Sequence, residues 1–102
     1  VTPMKPFDYR ALDEVLHGRV RLGIMAFLKG ARQSDFVELR EALDLTDGNL
    51  AAQLRKLEEH GHVRIAKGYL GKRTRMTVTI TEQGDAALEA YLDRLRSLFP
   101  DG

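Results

Sequence analysis

From Leu45 to Ile80 the chain passes from a helix with a clear start into two short alternating segments that hold glycines and an excess of positive charge, an order that few folds accommodate. Thr46 is placed to cap the helix, its hydroxyl accepting a free first-turn N–H, with Leu45 and Leu50 at the positions of a hydrophobic staple. Gly61, after His60, can take the left-handed conformation that ends a helix. Val63 and Ile65 then alternate with His62 and Arg64, and Met76, Val78 and Ile80 with Thr77 and Thr79, so each segment reads as a strand with one buried face. Between Arg64 and Arg75 stand Arg64, Lys67, Lys72, Arg73 and Arg75, with no Asp or Glu. Gly68 and Gly71 fall in the connection, which is therefore expected to be a long, flexible, positive tip that meets phosphates.

The remaining elements follow from periodicity and capping. Pro3 and Pro6 keep the start extended, and Asp8 caps a short helix carrying Leu12, Val15 and Leu16 up to His17-Gly18. A second helix over 19–29 lines up Val20, Ile24, Phe27 and Leu28, with Met25 beside them, and ends at Gly30. Gln33-Ser34 makes a link or a stub of strand. Ser34 or Asp35 caps a helix through Leu43 with Phe36, Leu39 and Leu43 inward, Asp44 and Leu45 turn the chain, and the helix from Asp47 follows. Thr81 caps a last helix over 82–99, with Glu82 and Asp85 where the helix dipole favours negative charge. Its stripe of Leu88, Leu92, Leu95 and Phe99, widened by Ala87, Tyr91 and Leu98, exceeds what one small domain needs and suggests a partner.

Composition narrows the classes. With 102 residues, 43% hydrophobic and 30% charged, the chain suits one domain spanning 1–102. The net charge of +1 conceals a division into 0 over 1–45, +4 over 46–80 and −3 over 81–102. A basic working face and a separate acidic terminal element are expected. The absence of cysteine rules out disulfides and thiolate metal sites, and no apolar run approaches a membrane span or a secretory signal, so a cytoplasmic protein is expected. His17, His60 and His62 form no ligand pattern, and no nucleophile triad or glycine-rich phosphate loop is present. Neither an enzyme nor a bound metal or cofactor is expected.

Helix, tight turn, helix over 35–60 is the layout that offers a second helix to a DNA major groove. With Leu50, Leu54 and Leu57 inward, Gly48, Ala52, Arg55, Lys56 and Glu59 point outward and Asn49 and Gln53 flank them. Asn49 and Gln53 can pair with adenine edges, Arg55 and Lys56 reach guanine edges or phosphates, and Gly48 and Ala52 permit close approach. Lys67, Lys72, Arg73 and Arg75 serve phosphates or the minor groove. With Thr46 at the cap, these form the candidate DNA-contacting set.

The order of elements resembles the winged helix-turn-helix domains of prokaryotic transcription regulators related to the MarR and ArsR families, in particular the small stand-alone type. The likeness is carried by Leu16-His17-Gly18-Arg19-Val20-Arg21-Leu22, Phe36-Val37-Glu38-Leu39, Leu45-Thr46-Asp47-Gly48-Asn49-Leu50, Leu54-Arg55-Lys56-Leu57-Glu58-Glu59-His60-Gly61 and Ile80-Thr81-Glu82-Gln83-Gly84. It implies a mainly helical α+β fold with a two- or three-stranded antiparallel wing over 62–80 and flanking helices. It further implies a homodimer held by terminal helices, with Phe7, Leu12, Leu16, Tyr91, Leu95, Leu98 and Phe99 as candidate contacts. The function expected on this basis is a sequence-specific, homodimeric repressor of double-stranded DNA. The alternative is a winged-helix module whose basic wing meets an acidic protein. Cysteine-based metal sensing is excluded, and a small-molecule effector would have room only at the dimer seam, near Phe7, Tyr9, Tyr91 and Phe99.

Overall fold

Three of the helices begin where a side-chain oxygen takes up a backbone N–H that the helix itself cannot satisfy. Asp35 Oδ1 accepts from Glu38 N at 2.7 Å, Thr46 Oγ1 from Asn49 N at 3.1 Å, and Thr81 Oγ1 from Gly84 N at 2.8 Å. Asp35 rather than Ser34 is thus the second cap. The computed structural model describes residues 12–99. In chain order these form α1 (Arg19–Ala31), β1 (Gln33–Asp35), α2 (Phe36–Leu43), α3 (Asp47–Glu59), β2 (Val63–Leu70), β3 (Arg73–Ile80) and α4 (Glu82–Ser97). The antiparallel sheet has the order β1-β3-β2, so the stub at Gln33-Ser34 is a genuine third strand.

The core is the sum of the helical stripes and the inner strand positions. Leu16, Ile24, Met25, Leu28, Leu39, Leu50, Leu54, Leu57, Val63, Val78, Ile80, Leu88 and Tyr91 are buried together, and Val20, Phe27, Phe36 and Leu43 pack against their rim. α2 and α3 are joined by Asp44 in the left-handed conformation at φ 54° and by Leu45, whose N–H reaches Arg40 O at 3.0 Å. Asp44, being short and polar, tolerates that conformation better than most residues.

Three expectations are corrected. Among the described residues, Leu12, Val15 and Leu16 stand on a turn, not a helix. Asp13 Oδ1 accepts from Val15 N at 2.8 Å and Leu16 N at 3.4 Å, and Asp13 O accepts from His17 N at 2.8 Å. A short acidic side chain that satisfies its neighbours' amides offers the backbone an alternative to helix. The cap expected at Asp8 lies outside the described residues, as do Pro3 and Pro6. Second, α1 continues through Gly30 and is ended by Arg32, at φ 70°, whose N–H bonds Leu28 O at 2.7 Å. The turn must deliver the chain straight into the sheet, where Ile80 N donates to Arg32 O at 3.1 Å.

The third correction concerns the wing. Strand pairing continues outward through Gly68 opposite Arg75 and Tyr69 opposite Thr74 to Leu70 opposite Arg73. The chain reverses in Gly71-Lys72 alone, with Gly71 at φ 65°. Glycine at the first central position with positive φ is the type II′ pattern, which follows the strand twist. The tip is therefore tight rather than long, because ladder bonds satisfy the backbone almost to its end.

Candidate nucleic-acid interface

Helix α3 is fixed at both ends before any ligand arrives. Thr46 holds its first turn, and the Arg40 guanidinium reaches Asp47 Oδ1 at 2.7 Å, which ties α3 to α2 and favours the charged form of Arg40 still further. At the other end Gly61, at φ 75°, turns the chain, and its N–H bonds Glu58 O at 2.9 Å. With Leu50, Leu54 and Leu57 buried beneath, Thr46, Gly48, Asn49, Ala52, Arg55 and Lys56 are exposed and Gln53 is half-buried. A Cβ at Gly48 would meet nothing within 4 Å, so the surface there is open.

The two basic residues of α3 serve different flanks. Arg55 borders a groove with Phe36, Ala51, Leu54, Glu58, Ile65 and Met76, on the side of the sheet. Lys56 borders a separate hollow with Glu14, Val15, His17 and His60, on the side of the N-terminal turn. Gln53 is engaged within the chain: its Oε1 accepts from Arg21 Nη1 at 2.8 Å, and its Nε2 donates to Asn49 Oδ1 at 3.1 Å. Arg21 was not among the sequence candidates. Its partner lies 32 positions away, and nothing local marks the pair.

Alternation divides the wing cations as well. Lys67, paired with Met76, shares the face of Ile65 and Val78 that continues from the core toward α3. Arg73 and Arg75 share the opposite face with Arg64. Arg75 is partly engaged there by Asp35, whose Oδ2 lies 3.8 Å from Nη2, while Lys72 occupies the turn. Arg64, Lys67, Lys72, Arg73 and Arg75 are all exposed. Tyr69, 76% exposed, adds an aromatic on the Lys67 face that the charge count passed over; its position between two glycines in a basic hairpin is the signal that could have drawn attention to it.

The candidate dimer contacts separate into three groups. Phe7 lies outside the described residues. Leu16 is 0% and Tyr91 3% exposed, so both belong to the chain's own core and have no free surface to offer a second copy. Tyr91 Oη also meets His17 Nδ1 at 2.8 Å, joining the N-terminal turn to α4. Leu12, Leu95 and Leu98 are half-buried, and Phe99 is 65% exposed. Of the residues named for an effector at the dimer seam, Phe7 and Tyr9 fall outside the described residues, Tyr91 is enclosed and Phe99 is open to solvent. Among the described residues no three His, Asp or Glu side chains gather as metal ligands would, and no helix is long and apolar enough to cross a membrane.

Comparison with known proteins agrees with this geometry. The uncharacterised protein MJ0432 of Methanocaldococcus jannaschii is 36% identical over 85 residues, which span 83% of this chain and 92% of that protein. The solved structure of a transcriptional regulator homologue from Pyrococcus horikoshii OT3 superposes with a TM-score of 0.79 at 37% identity, covering 85% of this chain and 86% of that one. Overoxidised AbfR bound to DNA gives a TM-score of 0.69 at 25% identity, over 78% of this chain and 58% of that one. The model of a winged helix DNA-binding domain matches residues 20–99, from α1 to just beyond α4. By sequence and by fold the chain belongs to the winged helix DNA-binding domain family, whose solved neighbours include transcriptional regulators.

Proposed function

We propose that this chain is a sequence-specific regulator that binds double-stranded DNA as a homodimer, laying α3 in the major groove and its wing along the phosphates, and that it represses by occupying promoter DNA. The observation that carries the reading is the exposed surface of α3. Gly48, Asn49, Ala52 and Arg55 stand clear of the core on a helix whose start and end are both fixed, beside a hairpin bearing Lys67, Lys72 and Arg73. A rigid helix with amide and guanidinium groups outward supplies base-edge contacts, and unneutralised wing cations supply the salt-dependent share of affinity. The DNA-bound state of AbfR supports the same use of the fold. The exposed Phe99, with Leu98 beside it just past the end of α4 and Leu95 on the last turn, supports pairing of two copies through their C-terminal ends.

Selection of bound fragments from random duplex DNA tests this reading. The expected result is a two-fold-related motif with half-sites about one helical turn, roughly 10 bp, apart. A dimer making about 6 to 10 phosphate contacts loses roughly 10³- to 10⁵-fold in affinity between 50 and 200 mM salt. Retention that is weak and independent of sequence and salt would instead identify a protein-interaction module.

A further inference from the structure

The two amides on α3 are not equivalent, and a donor-only residue decides between them. A guanidinium has five N–H donors and no acceptor, so whatever faces Arg21 must present oxygen. Arg21 Nη1 donates to Gln53 Oε1 at 2.8 Å, which turns the Gln53 amino group the other way, where Nε2 donates to Asn49 Oδ1 at 3.1 Å. The Asn49 oxygen is thereby directed at Gln53, and its Nδ2 is directed away. Arg21 itself is anchored to the N-terminal turn, through Nε to Val15 O and Nη2 to Glu14 O. Gly18 makes the room: a Cβ there would lie 2.6 Å from Arg21 Nη2 and 2.7 Å from Cζ. Since Gly18 has φ −112°, open to any residue, space and not backbone freedom is what glycine supplies at this position.

We propose that Arg21 is a positioning residue for base reading, setting through Gln53 the amide of Asn49, and that Asn49 is the side chain that meets an adenine in the major groove. This rests on the DNA-binding reading given above. Asn49 is exposed while Gln53 is half-buried, and the Asn49 backbone is already held by the Thr46 cap. The oriented amide offers Nδ2 to adenine N7, and the second lone pair of Oδ1 to the adenine amino group. An amide held in place before contact loses little rotamer freedom on binding, which favours discrimination.

The test compares base preferences of the full chain and its Asn49→Ala, Gln53→Met, Arg21→Met and Gly18→Ala variants by selection from random duplex DNA. Asn49→Ala is expected to lower preference for adenine at one position of each half-site by about 10-fold. Gln53→Met, Arg21→Met and Gly18→Ala should each weaken preference at that same position several-fold, and Arg21→Met and Gly18→Ala should keep affinity for random duplex within about two-fold of wild type. Gly18→Ala keeps every side chain of the relay and displaces the guanidinium, so it tests the position of Arg21 apart from removal of its side chain. In the free protein the Gln53 side-chain amide resonances, whose Nε2 donates to Asn49, should move toward solvent-exposed values in Arg21→Met and Gly18→Ala. Wild-type preference at the Asn49 position in both Arg21→Met and Gly18→Ala, or a base other than adenine there, overturns the proposal. Salt-sensitive duplex binding with no motif overturns it while leaving DNA binding intact, whereas no duplex binding by the wild type at low salt removes the underlying reading and this proposal with it.

Discussion

Gly84 in α4 lies directly against the backbone carbonyl of His62: a Cβ added at Gly84 would fall 2.0 Å from that oxygen. Glycine inside a helix normally costs about 1 kcal/mol relative to alanine. Here the sign reverses, because the obstructing atom is backbone, held in turn by Thr81 N at 3.1 Å. Gly84→Ala is expected to lower stability by about 3 kcal/mol, as overpacking does, and a urea titration of the two proteins measures it. An unchanged or raised midpoint would mean that α4 and the strand entry are not in contact.

Gly30→Ala should do the opposite. Nothing lies within 4 Å of a Cβ at Gly30, and the residue is inside α1. Alanine there is expected to stabilise by about 0.5 to 1 kcal/mol, read as a rise in the thermal midpoint. Were Gly30 the left-handed terminator, the same change would destabilise.

Stability should fall on mild acidification through His62. His62 is 6% exposed, its Nδ1 has no hydrogen-bond partner among the described groups, and burial lowers its pKa below the ordinary 6.5, with nearby Asp13 opposing and His60 reinforcing the shift. A depressed histidine pKa means that the unfolded chain binds the proton more readily. The contribution is therefore complete above 6.5 and is lost as the pH falls from there through the lowered folded value. Denaturation midpoints measured from pH 7.5 downward should drop first in this window, and His62→Gln should flatten that part of the profile.

Wing residues should differ in their salt signatures. Arg73→Ala is expected to weaken binding to every duplex alike and to reduce the slope of log affinity against log salt by about 1. Arg75→Ala should change the slope less, because Asp35 already lies 3.8 Å from its guanidinium. Fluorescence anisotropy at several salt concentrations separates the two, and equal slopes would show that DNA displaces Asp35.

Sedimentation should locate the pairing surface. Phe99→Glu and Leu98→Asp are expected to shift the protein toward monomer at micromolar concentration with the fold retained. Leu16→Ala, by contrast, empties a fully buried position and should cost about 2 to 5 kcal/mol of stability. Dimers that survive both C-terminal changes would move the interface elsewhere.

What could be read from the residues is what depends on neighbours in the chain. Thr46 and Thr81 declared their helices because a cap acts three residues ahead, and Leu50, Leu54 and Leu57 declared their face because the helical period is local. The same reasoning misplaced the end of α1, since Arg32 adopts its strained turn to join β1 to β3, a pairing of Gln33 with Thr79 that no local signal contains. It also lengthened the wing tip, because two glycines look alike until cross-strand register puts Gly68 in the ladder and Gly71 in the turn. Leu16 and Tyr91 are candidate contacts through the resemblance and their apolar character, neither of which says whether the surface they cover belongs to their own chain. The link from Arg21 to Gln53 depends wholly on how α1 and α3 cross.

Thr81 Oγ1 donates toward Gly61 O at 2.6 Å and His62 O at 3.1 Å, so the hairpin is fastened shut where it leaves and rejoins the helices. Between those points it behaves as an arm clasped at the shoulder. Adding or trimming a residue pair beside Gly71-Lys72 alters how far that arm extends along a polyanion and leaves the helical body unmoved.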